Sequence, residues 1–122
     1  MFGDIATDLA SVLQGGMGMA GSGNIGDDHA FFEPVHGSAP KYAGMNKVNP
    51  IASVNSIQMM MDWLGRKDGN AEILEIAKAI EQSVSAHLSK GKHLTYDLGG
   101  NASCSMVGDL IAQRLATSLS ER

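Results

Sequence analysis

Six of the twelve residues from Gly15 to Gly26 are glycine. A glycine in a helix interior costs about 0.5–1 kcal/mol relative to alanine. So dense a run therefore excludes a helix and reads as a loop with left-handed backbone positions. Before it, Ile5, Leu9, Val12 and Leu13 fall on one stripe of a helix expected from Asp4 to Leu13. That helix has no cap-rich lead-in, so the chain is expected to be entered in mid-domain. After the glycines, Ala30 to Val35 is a short apolar run interrupted by Pro34 and reads as one strand. Residues 36–49 read as an irregular surface loop.

Three helices are expected downstream. Asn49 is a candidate N-cap with Pro50 at the first helical position, where a missing N–H is harmless. Ile51, Val54, Ile57, Met61 and Leu64 recur at helical spacing, and Gly65 is expected to end the run. Ala71 to Leu88 repeats the pattern through Ile73, Leu74, Ala77, Ile80 and Val84. After a loop over 90–101, Ser105 is a candidate cap for a last helix carrying Val107, Leu110, Ile111 and Leu115. Four helices, one strand and two long glycine-rich loops make a lopsided inventory. Long loops in compact domains are usually functional, and the shortage of strands points to part of a larger α/β protein.

Bulk properties narrow the partners. A net charge of −4 without any Lys/Arg block argues against nucleic acid. No apolar run approaches the roughly 20 residues that cross a bilayer. Met1-Phe2-Gly3-Asp4 carries an acid where a signal peptide carries lysines. The single cysteine, Cys104, cannot form an internal disulfide. A reducing, cytoplasmic setting is the expectation.

Candidate chemistry concentrates in two places. Asp4 and Asp8, four apart on a helix, share one face. Such a pair suits a hard divalent cation such as Mg²⁺ or Mn²⁺, but acids at a helix start also favour the macrodipole, and on spacing alone that second reading is the commoner. Glu33-Pro34-Val35-His36-Gly37-Ser38-Ala39-Pro40 runs from a strand into backbone N–H groups, a hydroxyl and an imidazole, with Lys41 and Tyr42 following. This is equally a phosphate- and ribose-binding loop or an ordinary glycine turn. Gly16-Met17-Gly18-Met19-Ala20-Gly21 matches G-x-G-x-x-G, but a helix precedes it instead of a strand, so a Rossmann fingerprint is rejected. His29, His87 and His93 show no ligand spacing and read as surface or partly buried polar residues. Cys104 reads as a small packed residue, and Met59-Met60-Met61 as core or subunit-contact filler.

Taken together, Gly3-Asp4-Ile5-Ala6-Thr7-Asp8-Leu9, Gly23-Asn24-Ile25-Gly26, Phe32 through Pro40, Ala43-Gly44, Asn49-Pro50 and Asp97-Leu98-Gly99-Gly100 resemble the β-decarboxylating (isocitrate/isopropylmalate) dehydrogenases in order and spacing. The resemblance covers essentially the whole chain, as a carboxy-terminal portion. It implies a two-domain α/β fold that is not a Rossmann fold, with residues 1–14 closing the smaller, dimer-forming domain and residues 15–122 belonging to the larger, cofactor-binding one. It also implies oxidation of a 3-substituted malate at C2 with loss of the C3 carboxylate as CO₂, in a homodimer that completes each active site. Asp4 and Asp8 match the family's Mg²⁺ or Mn²⁺ ligands. Glu33, His36, Gly37, Ser38, Ala39 and Asn49 match its adenosine loop. Lys41, Tyr42, Val48 and Tyr96 resemble the NADP-linked members rather than the NAD-linked ones, while Gly100 stands near where some of those carry an arginine. Ala-Pro-Lys-Tyr-Ala-Gly and Lys-Val-Asn-Pro lean toward isocitrate; Gly37-Ser38 and Asp-Leu-Gly-Gly lean toward isopropylmalate, which is slightly ahead. The family's catalytic tyrosine, lysine and substrate-binding arginines match nothing in this chain. The resemblance therefore implies a piece of such an enzyme, with a non-catalytic nucleotide-binding or interaction remnant as the alternative.

Overall fold

The computed structural model describes residues 2–121, with the side chains of Phe2, Asp4, Thr7, Asp8 and Gln14 outside the description. Helix α1 (Phe2–Ser11) runs into 3-10 turns at Val12–Gln14 and Met17–Met19. An antiparallel hairpin follows, β1 (Gly21–Ile25) with β2 (Ala30–Pro34). After a 3-10 turn at Pro40–Tyr42 come α2 (Ile51–Asp68) and α3 (Ala71–Ser89). A last 3-10 turn, Tyr96–Leu98, precedes α4 (Cys104–Ser120). The hairpin and α3 both pack on α2, and α4 packs on α3.

The core forms where α2, α3 and α4 converge, around Ile51, Val84, Ala102, Val107 and Ile111, with Met19, Val54, Leu88 and Leu98 packed against it. The apolar stripe at the start of the chain is not covered: Ile5, Leu9, Val12 and Leu13 are all more than half exposed.

Several local expectations are corrected. The first helix ends at Ser11 rather than Leu13, the remainder tightening into a 3-10 turn. The second half of the glycine-rich stretch is a strand, not a loop. Gly21 and Gly23 are needed there for space rather than for backbone freedom. A Cβ on Gly21 would stand 2.9 Å from the Ser56 backbone nitrogen, and one on Gly23 would stand 2.9 Å from the Phe32 ring that lies across it from β2. Partner elements thus hold extended a segment whose own composition disfavours a strand.

Gly65 does not end α2. The helix continues one turn and stops at Gly69, which takes the left-handed conformation at φ 62. Gly65 is buried inside the helix, where Leu74 of α3 closes over it; an added Cβ would meet the Leu74 side chain at 2.8 Å and its backbone nitrogen at 3.0 Å. At the last helix the cap is Ser103, not Ser105, its hydroxyl accepting from the Met106 N–H at 3.2 Å. Ser105 is the second residue of the helix, where its hydroxyl accepts from the Asn46 amide at 2.8 Å and its N–H donates back to Asn46 Oδ1 at 2.9 Å. His87, expected at or near the surface, is almost wholly buried, with 1% exposure.

These environments separate two glycines that propensity treats alike. Gly65→Ala gains up to ~1 kcal/mol of helix propensity but overpacks Leu74 at a typical cost of about 1–3 kcal/mol, so it should lower stability. Gly108→Ala in α4, where no atom lies within 4 Å of the added Cβ, should raise stability by about 0.5–1 kcal/mol. Urea denaturation followed by circular dichroism tests both; the same sign for the two substitutions contradicts the packing argument.

Candidate functional site

The loop between β2 and α2, the turn at Met17–Met19 and the turn at Tyr96–Leu98 enclose a cleft of about 510 Å³, within the usual range for small-molecule sites. Eight of the ten residues nominated from sequence for cofactor binding line it: His36, Gly37, Ser38, Ala39, Tyr42, Val48, Asn49 and Tyr96. The other two do not. Glu33 sits on the exposed face of β2, and Lys41 is exposed on the short turn that carries Tyr42.

Asn49 is buried and organises the floor. Its side-chain oxygen accepts the Ile51 N–H at 3.0 Å where α2 begins, although the cap position falls on Pro50, one residue later than expected, because the helix starts only at Ile51. Its amide nitrogen donates to Asp97 Oδ2 at 3.0 Å and approaches the Met19 sulfur at 3.6 Å. Asp97 is held from its other oxygen by the Thr95 hydroxyl at 2.5 Å. Gly18 completes this corner because a Cβ there would stand 2.9 Å from Asp97 Oδ2. The backbone beside the cleft is strained at Ala39, which has φ 46 and ψ 54. A left-handed alanine costs about 1–2 kcal/mol, and such outliers cluster at binding sites.

Two aromatic rings form the outer wall. Tyr42 and Tyr96 lie 5.6 Å apart between centroids, tilted by 43°. The Lys47 ammonium stands over both, 4.6 Å from the Tyr96 centroid and 5.7 Å from that of Tyr42. The Tyr42 hydroxyl lies below the usual phenol range, first because it is hydrogen-bonded by Tyr96, then through the charges of Lys41 and Lys47, with burial opposing. Tyr96 is displaced upward by the same bond, by burial, and by the negative character of Tyr42 and Asp97. The charges of Lys41 and Lys47 thus act on the Tyr42 hydroxyl at the outer wall. At the inner wall, His36 Nδ1 is 2.9 Å from the Gly37 carbonyl, while its buried Nε2 has no protein partner. A buried ring nitrogen left open at a cleft is suited to a bound molecule's polar atom.

Sequence reasoning missed Met17, Gly18, Lys47 and Asp97. Asp97 directly follows Tyr96 and Lys47 directly precedes Val48, so adjacency could have suggested both; nothing in spacing pointed to Gly18. Asp4 and Asp8 lie within α1, but their side chains are outside those described, so the metal nomination rests on sequence. Among the described residues no three His, Cys, Asp or Glu side chains come together as a metal site. Nor is any described helix long and apolar enough to cross a membrane.

Comparison with known proteins gives these features a family. The sequence profile of the isocitrate/isopropylmalate dehydrogenases matches residues 1–111. The homoisocitrate dehydrogenase of Methanocaldococcus jannaschii is 46% identical over 119 residues, which cover 98% of this chain and 32% of that protein. The 3-isopropylmalate dehydrogenase of Thermobifida fusca is 43% identical, covering 95% of this chain and 30% of that one. A crystal structure of a β-decarboxylating dehydrogenase from Thermococcus kodakarensis superposes with a TM-score of 0.84 at 40% identity, over 98% of this chain and 33% of that one. The chain thus spans about a third of the length of the relatives it matches. On agreement in both sequence and fold, the chain belongs to the isocitrate/isopropylmalate dehydrogenase family.

Proposed function

We propose that this chain supplies the adenosine- and 2′-phosphate-binding part of an NADP-linked dehydrogenase that oxidatively decarboxylates a 3-substituted malate, with 3-isopropylmalate favoured over isocitrate. The observation that carries the reading is the gathering of His36, Gly37, Ser38, Ala39, Tyr42, Val48, Asn49 and Tyr96 into one cleft. Residues 37–39 present backbone N–H groups and a hydroxyl to a ribose phosphate. His36 Nε2 offers an open hydrogen-bonding position to an adenine edge, and Val48 gives an apolar surface. NADP, when bound, would supply the hydride acceptor for the C2 hydroxyl of the substrate.

Preference for NADP rests on charge. A 2′-phosphate brings about two negative charges, and Lys41 and Lys47 flank the Tyr42 hydroxyl whose ionised form they favour. Charge-assisted contacts of this kind are stronger than those a neutral ribose hydroxyl makes. The acid in the cleft, Asp97, is turned inward onto Asn49 and Thr95, so it serves the wall rather than a ribose hydroxyl. Asp4 and Asp8 would hold Mg²⁺ or Mn²⁺, which when bound would polarise the substrate hydroxyl and carboxylate. We place residues 1–14 in the smaller domain and residues 15–122 in the larger one, within a homodimer. No residue here matches the family's proton-transfer tyrosine or lysine, so turnover requires further protein. The same argument keeps a second reading in view, a nucleotide-binding segment without catalysis; NADP binding with no turnover in a protein of full family length would support it.

Measurements on a dehydrogenase of full family length carrying this segment test the proposal. Lys41→Asp should shift the ratio of kcat/KM for NADP and NAD by about tenfold or more toward NAD, because a repulsive carboxylate replaces an attractive ammonium. Lys47→Ala should raise KM for NADP about threefold to tenfold and change that for NAD less, matching loss of one partly exposed charge contact. Unaltered cofactor ratios in both variants would overturn the NADP assignment. EDTA should abolish activity and Mn²⁺ restore it, with Asp4→Asn needing more metal for the same rate; activity indifferent to chelation removes the metal assignment.

A further inference from the structure

The carboxy-terminal end of α3, the loop after it and the middle of α4 enclose a second cavity, of about 520 Å³, which shares no lining residue with the cofactor cleft. Its walls are His87, Lys90, Lys92, His93, Leu110 and Arg114. Every ionisable side chain among them is basic. The adjoining groove along α3 and α4, which shares Lys90, Leu110 and Arg114 with it, is lined by one acid, Glu121.

Cations at the end of α3 complement the negative end of its macrodipole, and that suffices to explain Lys90 and Lys92. It does not explain two other atoms. His87 is 1% exposed, and its Nε2 is buried with no hydrogen-bond partner. Arg114 Nε is likewise buried and unpartnered. Buried side-chain polar groups are overwhelmingly hydrogen-bonded, so two open ones on residues that line a single all-basic cavity call for a bound partner. Burial holds the His87 ring below the usual histidine range, and the Arg114 charge adds to this; a hydrogen bond to the His93 backbone works the other way, and the His93 ring opposes it weakly.

We propose that this cavity binds a small oxyanion, of the phosphate or carboxylate class, together with one proton on His87 Nε2. Arg114 and the protonated ring donate to its oxygens from α4 and α3, and Lys90, Lys92 and His93 supply the surrounding positive charge. A bound anion offsets the burial and the Arg114 charge that hold the ring below the usual histidine range, so proton and anion bind with positive cooperativity. The sign follows: affinity rises as pH falls toward the histidine range and declines as the ring loses its proton. Leu110 closes one wall with an apolar side chain, which raises the strength of charge-assisted bonds beside it.

Sulfate is the suitable first probe because its own charge does not change near neutral pH. It is titrated at constant ionic strength, balanced with sodium chloride, into a dehydrogenase of full family length carrying this segment, while the rings of His29, His36, His87 and His93 are followed by NMR. Expected is a saturable change at His87 and His93 and none at His29, with affinity about tenfold higher at pH 5.5 than at pH 7.5; a separate change at His36 reports on the cofactor cleft. Arg114→Gln should weaken binding about tenfold, and Lys92→Gln, at an exposed position, should weaken it less without disturbing the fold. His87→Gln should remove the pH dependence. Tighter binding of phosphate than of succinate assigns the phosphate class, and the reverse order the carboxylate class. An equal change at His29, or an affinity at His87 and His93 that ignores pH, would overturn the proposal.

Discussion

The buried side chain of Asn49 joins three parts of the molecule that lie far apart in the sequence. One carboxamide accepts the Ile51 N–H at the start of α2, holds the Asp97 carboxylate and meets Met19. A buried polar group left without partners costs about 1–3 kcal/mol, so the start of α2 and the turns at Met17–Met19 and Tyr96–Leu98 are stable only in mutual register. The cleft is what these three pieces enclose. Its dimensions therefore follow from the hydrogen bonds of one residue rather than from any of the loops separately.

Close approach is the second constraint. Leu74 lies against Gly65, the Ser56 backbone against Gly21, and Asp97 against Gly18. At each place a glycine lets two elements come nearer than any side chain would permit. The three contacts set the spacing of α3 on α2, of the hairpin on α2, and of the cleft floor on its wall. Glycine here is a packing residue more than a turn residue, which is why the same residue type occurs in a strand, in a helix and at a cleft.

Charge is distributed unevenly around this frame. The chain is acidic as a whole, yet Lys41 and Lys47 flank the Tyr42–Tyr96 pair, and a second group of bases gathers between α3 and α4. Local field, rather than net charge, decides which anions each surface meets, since exposed charges are screened beyond about 10 Å. Net charge served well enough to argue against a nucleic-acid partner. It gave no indication of two electropositive pockets.

Periodicity located α2, α3 and α4 because their apolar stripes repeat at 3.6 residues, and the Asn49-Pro50 signal set the start of α2 to within a residue. The cofactor-loop residues stood out because a strand running into His36-Gly37-Ser38-Ala39 has few structural explanations, and because separated blocks resemble one family in register. The sequence by itself thus determined the helices, the family and most of the residues around the cleft. It could not decide whether Gly65 ends a helix or admits Leu74, or whether Gly21 and Gly23 belong to a loop or a strand. In each case the deciding atom belongs to a residue at least nine positions away along the chain. The linking of Asn49 to Asp97, the setting of Lys47 over two rings and the burial of His87 against α4 were likewise left to tertiary structure. Local propensity depends on neighbours along the chain, whereas burial, close contact and electric field depend on neighbours in space.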